Sequence, residues 1–171
     1  MPRINTIFVD ADACPVKEEI MQASELFQVP VVFVASYAHK TSFPGGTWVY
    51  VDPSRDAADF YLYQHAKPGD LAVTQDMGLA SLLVKRDIVV LSPRGTILQD
   101  AQMDNILYNR HLSAELRRSG TYTKGPKAFS KEDRQRFFHV LQKILSKHEG
   151  IEESLKNINT TRRWSNGEQN S

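Results

Sequence analysis

The chain has 171 residues, 41% of them hydrophobic, enough apolar surface for a single core of common size. Its one cysteine, Cys14, excludes internal disulfides and any cysteine-rich zinc site, and no apolar run approaches the roughly 18 residues of a membrane span. Because the start, Met-Pro-Arg-Ile-Asn, lacks the charged and apolar regions of a signal peptide, the chain is expected in the cytoplasm. The net charge of +1 conceals a division. Residues 1–109 hold 8 Lys and Arg against 13 Asp and Glu, whereas residues 110–147 hold 10 against 3, and the last 24 hold 3 against 4. Acidic residues followed by basic ones fit an acidic pocket beside a surface that attracts polyanions, although a solvated charged helix face gives part of the same pattern.

In chain order, residues 4–9 read as a buried strand that ends in Asp10-Ala11-Asp12. If the extended geometry persists through Ala11, the two aspartates face one spot. Pro15, suited to a helix's first turn, introduces a helix over residues 16–27. Strands are predicted over 31–35 and 48–51, with a polar surface loop of functional length, 36–47, between them. A helix over 54–66 is stopped by Pro68-Gly69; a strand over 71–74, a helix over 79–85 and a strand over 88–91 follow. This βαβ rhythm predicts a three-layer α/β/α fold with a central, mainly parallel sheet.

Beyond Pro93-Arg94-Gly95 the character changes. Two amphipathic helices are predicted over 105–118 and 130–147, the second opened by Ser130 and Asp133 in nearly a capping box. Between them, residues 119–127 form a loop rich in glycine, hydroxyls and lysine. One domain is expected over residues 1–148, and residues 149–171 read as a polar, disordered tail.

Acidic residues recur where the first pair stands. Asp56 and Asp59 are three residues apart, on one face of a helix's first turns, and Asp76 lies just past the fourth strand. In a parallel sheet these carboxylates from three separate connections reach one edge, where ligands bind in open α/β sheets. Carboxylates held close repel unless a proton or a cation lies between them, and a hard divalent ion suits an all-oxygen set. Each also has a plain structural explanation: Asp12 or Asp76 as a helix cap, Asp56 favoured by a helix dipole.

The stretches Val-Asp-Ala-Asp-Ala-Cys-Pro-Val-Lys at 9–17, Asp-Ala-Ala-Asp at 56–59, Pro-Gly-Asp-Leu-Ala-Val-Thr-Gln-Asp at 68–76, Pro-Arg-Gly at 93–95 and Lys-Gly-Pro-Lys-Ala-Phe-Ser-Lys-Glu-Asp-Arg at 124–134 identify the chain as a member of the bacterial YaiI/YqxD family. That family is uncharacterised and resembles PIN-like (NYN) nuclease domains in fold and in the placement of acidic residues. The resemblance implies a metal-dependent nuclease in which Asp10, Asp59 and Asp76 hold one or two Mg2+ or Mn2+ ions, with Asp12 or Asp56 in support and RNA as the expected substrate. Lys17, Arg94, Lys124, Lys127 and Arg134 would then meet phosphates, and Tyr122 would stack on a base. For any one of these cations, a solvated surface charge is the commoner role. Two positions depart from the family pattern: Phe60 stands where a second consecutive aspartate is common, and Ser92 where many members have Asp. Those departures keep open a different class, an RNA-binding module that does not cut. A weaker alternative is a haloacid-dehalogenase-like phosphatase, from the Asp-x-Asp spacing of Asp10 and Asp12. Cys14 lacks a partner base, and His39, His65, His111, His139 and His148 show no metal-ligand spacing, so packed or surface roles are expected for them.

Overall fold

Alternation along the first strand sorts the molecule into two layers around a sheet. In β1 (Ile7–Asp10), Ile7 and Val9 enter one hydrophobic core and Phe8 the other. The computed structural model describes residues 3–54, 56–99, 115, 120 and 128–149. Along the chain, β1 is followed by α1 (Lys17–Phe27), β2 (Val31–Ser36), a 3-10 turn (Tyr37–His39), β3 (Thr47–Val51), α2 (Ala57–His65), β4 (Leu71–Val73), α3 (Met77–Lys85), β5 (Val89–Leu91), β6 (Ile97–Leu98) and α4 (Lys131–Glu149).

The sheet order is β3-β2-β1-β4-β5-β6, with the first five strands parallel and β6 antiparallel to β5. One face is covered by α1 and α4, whose Ile20, Phe27, Phe137 and Leu141 pack on Ile7, Val9 and Phe33. The other is covered by α2 and α3, whose Leu62, Leu79 and Leu83 pack on Phe8, Val34 and Val90. The three-layer α/β/α architecture expected from the sequence is the one observed. Strand order reverses between β1 and β4, so the crevice at their carboxyl ends is the topological switch point of the sheet.

Local chemistry accounts for the differences at element ends. The third helix starts at Met77, two residues early, because Asp76 caps it: its Oδ1 accepts from the Leu79 N–H at 3.0 Å. Within the predicted loop 36–47, the Ser36 hydroxyl accepts from the Ala38 N–H at 3.1 Å and starts the 3-10 turn. Two residues are too few to show a period, so β6 has no sequence signal.

The capping box of α4 forms as predicted, with the Asp133 N–H donating to Ser130 Oγ at 3.1 Å and the Ser130 N–H to Asp133 Oδ2 at 3.0 Å. Gly95 lets the 93–95 turn close on this helix. Its φ is +89°, and a Cβ there would lie 2.9 Å from the Phe137 nitrogen. Among the described residues no helix is long and apolar enough to cross a membrane. Apart from Glu115 and Gly120, the predicted helix 105–118 and loop 119–127 lie outside the described residues, as do residues 150–171.

Candidate functional site

Three connections deliver carboxylates to the switch point. Asp10 ends β1, and by alternation after Val9 it turns to the face that α2 and α3 cover. Asp59 lies in the first turn of α2, and Asp76 caps α3. Thr74, which directly follows β4, is buried and joins two of them: its Oγ1 donates to Asp10 Oδ2 at 3.1 Å and accepts from the Asp76 N–H at 3.0 Å. Gln75 ties the same loop to the β1–α1 turn, its Nε2 donating to the Ala13 carbonyl at 2.8 Å.

Each carboxyl stands in the field of the others. Burial is the largest influence on Asp10 and raises its pKa; the Thr74 bond opposes it, and the charges of Asp12 and Asp76 reinforce it. Asp59 is pushed up to about 7, first by burial, then by the charges of Asp76 and Asp10, by a side-chain hydrogen bond with Asp76, and by Asp56. A hydrogen bond between two carboxyls requires a proton on one, and Asp59 is the one whose hold on it rises. The raised proton affinity of Asp59 marks an excess of negative charge that a proton or a cation would balance. Among the described residues, no three His, Cys, Asp or Glu side chains are drawn together closely enough to hold a metal ion as they stand. The donors are nonetheless all hard oxygens, which suits Mg2+ or Mn2+ better than a soft metal.

The other expected residues separate by place. Asp12 does not join Asp10 on one face, because the strand ends at Asp10 and the chain turns. Its carboxylate reaches β2 instead, accepting from the Ser36 N–H at 2.9 and 3.1 Å and lying 3.1 Å from His39 Nδ1. Asp56 is exposed at the N-cap of α2 without a side-chain capping bond. Lys17 opens α1, and its Nζ donates to the Cys14 carbonyl at 2.9 Å. Cys14 itself is buried, and burial pushes its thiol up to about 11, away from nucleophilic character.

Arg94 and Arg134 flank the Phe129 ring, at 5.7 and 5.2 Å from its centroid. Arg94 pairs with Asp133 at 3.0 Å, and Arg134 with Glu19 at 3.3 Å, so both guanidinium groups help dock α4. Tyr122, Lys124 and Lys127 lie outside the described residues. Thr74, Ser36 and His39 were missed by sequence reasoning. A hydroxyl residue two positions before a helix-capping aspartate is a faint signal for the first; the other two act through contacts more than 20 residues away in sequence.

Comparison with known proteins agrees with the family motifs. The family described as "Uncharacterized BCR, YaiI/YqxD family" matches residues 8–147. A UPF0178 protein of Bacillus cytotoxicus is 60% identical over 151 residues, covering 88% of this chain and 99% of that one. One from Bacillus velezensis is 54% identical over 148 residues, 85% of this chain and 88% of that one, and one from Listeria monocytogenes serotype 4b is 46% identical over 146 residues, 85% and 98%. No solved structure matches. On a match that spans most of its length and on relatives this similar, the chain belongs to the YaiI/YqxD family.

Proposed function

We propose that the protein is a metal-dependent nuclease of PIN-like type that hydrolyses phosphodiester bonds in RNA, with Asp10, Asp59 and Asp76 as ligands of Mg2+ or Mn2+. The observation that carries this reading is the raised proton affinity of Asp59, at about 7, among carboxylates delivered by β1, α2 and the β4–α3 connection. Carboxyls with raised pKa values, gathered in the crevice where open α/β sheets bind ligands, are candidates for a functional site. When bound, a divalent ion supplies Lewis-acid polarisation of the phosphodiester and a nucleophile at neutral pH.

The chain's own residues do the remaining work. Thr74 orients Asp10 through its hydroxyl and holds the Asp76 backbone, so that the two loops move as one. Asp12 braces the β1–α1 turn against β2, and Asp56 adds negative field at the mouth. Lys17, which opens α1 just after the β1–α1 turn, is a candidate for phosphate. The segment 121–127 would add Tyr122, Lys124 and Lys127, and Arg94 and Arg134 would add further positive charge.

A second reading, a module that binds RNA without cutting it, is favoured by one fact: among the described residues the carboxylates do not stand as a closed ligand set. Incubating the purified chain with end-labelled single-stranded RNA and Mg2+, Mn2+ or EDTA separates the two. The nuclease reading expects cleavage that needs the ion and disappears in Asp10→Asn. RNA that is shifted in a salt-dependent way, yet stays intact with every divalent ion, overturns it and leaves the binding module.

A further inference from the structure

Residues 30–51 contain no Asp or Glu, although Ser36 within them contacts the carboxylate of Asp12. Aromatic rings are laid in a row along them. Phe33 stacks on Trp48 with centroids 4.6 Å apart and planes at 21°, Trp48 on Tyr50 at 6.0 Å and 20°, and Tyr50 on Tyr37 at 6.2 Å and 27°. Phe33 is fully buried, Trp48 and Tyr50 are half-buried, and Tyr37 is 56% exposed, so the row starts in the core and ends in water. Lys40 Nζ lies 5.6 Å from the centroids of both tyrosine rings. Trp48 and Tyr50 alternate with Val49 on β3, the last strand on that side of the sheet among the described residues.

The outer end of the row meets the acidic edge. Tyr37 is followed two residues later by His39, which contacts Asp12, and the preceding Ser36 N–H donates to the same carboxylate. Packing alone does not account for an exposed tyrosine under a lysine, since little apolar area leaves the water there. Partly exposed flat rings beside a cation, on a segment without acidic residues of its own, suit a planar base joined to a phosphate.

We infer that Tyr37, Tyr50 and Trp48 form a stacking platform for unpaired nucleobases, with Lys40 at the adjoining phosphate, so that the substrate is a single-stranded polynucleotide led past Asp12 toward Asp10. This deepens the nucleic-acid reading of the acidic edge and rests on it. A duplex keeps its base faces inside its own stack and gains little from such a surface.

The test reads Trp48 fluorescence in a Trp164→Phe background, which leaves one indole of the two in the chain. Single-stranded octanucleotides of RNA and of DNA are titrated in EDTA, beside a duplex and an abasic backbone of equal charge. Quenching by the single strands is expected, with about 5-fold or greater weakening in Tyr37→Ala and in Tyr50→Ala. Tyr50→Phe, which keeps the ring, restores binding; Tyr63→Ala, on the exposed side of α2, leaves it unchanged; and thermal melts check that each variant folds. The tighter of the RNA and DNA arms assigns the sugar. Equal affinity for the duplex and the abasic backbone, or indifference to Tyr37→Ala, overturns the platform, as does self-association through β3 that those substitutions abolish without any oligonucleotide effect. Platform binding without cleavage under any divalent ion sinks only the nuclease, and cleavage indifferent to these rings sinks only the platform.

Discussion

Asp133 and Asp59 both sit in the first turn of a helix, and their surroundings push their protons in opposite directions. At the start of α4, the Ser130 N–H and hydroxyl, then Arg94 and Arg136, favour the charged form of Asp133 and lower its pKa. At the start of α2, burial and the neighbouring aspartates disfavour the charged form of Asp59 and raise it to about 7. The first corner is electrically closed, with its anion answered by donors and cations from the same chain. The second leaves like charges facing one another, a cost to folding that a protein tolerates where the charges serve a ligand. Structural and functional roles of one residue type are thus told apart by what stands around it.

The largest expected effect separates the two corners by readout. Asp10→Asn should lower divalent-dependent RNA cleavage on the order of 100-fold or more. Because Asp10 is itself a raised carboxyl, the same change should leave the melting temperature level or slightly higher. Parallel loss of fold and activity would deny the contrast. Gly95→Ala tests the closed corner instead. A side chain at φ +89° is strained, and the new Cβ would press on the Phe137 backbone at 2.9 Å, so a loss of about 2 kcal/mol in denaturant melts is expected. A smaller change, about 1 kcal/mol, is expected for Ser130→Ala, which removes one half of the capping box. Specific cleavage per folded molecule should hold in both; a selective drop in it would mean that the α4 corner belongs to the site.

What could be read from the sequence was what short segments decide. The apolar run of β1, Pro15 ahead of α1, and the Ser130–Asp133 spacing each carry their cause within a few residues, and each forms as expected. The gathering of Asp10, Asp59 and Asp76 followed from one further assumption, that the strands are parallel. Asp12 departed from expectation because its partner, the Ser36 N–H, is 24 residues away and no pattern announces it. Thr74 carried only a faint local signal for the same reason: its bond to Asp10 spans 64 residues. The positive charge of Arg94 and Arg134 was plain, but not that Asp133 and Glu19 would stand opposite them, since tertiary packing of α4 makes those pairs. Phe60 was recognised as a departure from the family pattern, and it stands 61% exposed one residue past Asp59, where its ring contributes little to either core.

The finest test of the comparison is pH. With a folded pKa of about 7 against roughly 3.9 in the unfolded chain, Asp59 keeps a proton that the unfolded chain has already lost. Stability should therefore be unpenalised below about pH 4, fall as pH rises from there to about 7, and level off above. Asp133 has the opposite sign: its contribution is present above the unfolded value and is lost as pH falls through its lowered folded value. Asp59→Asn should flatten the first slope and leave the acid limb in place. At pH 8 the gain in stability, discounted for a carboxyl partly screened by water, should be about 0.5–1 kcal/mol, or roughly 1–4 °C in Tm. Adding Mn2+ should then stabilise the wild type more than the variant, because the ion takes over from the proton that Asp59 and Asp76 share at lower pH. Equal stabilisation of both would place the ion away from Asp59, and a variant less stable than wild type at pH 8 would mean that Asp59 is held by contacts its neighbours do not oppose.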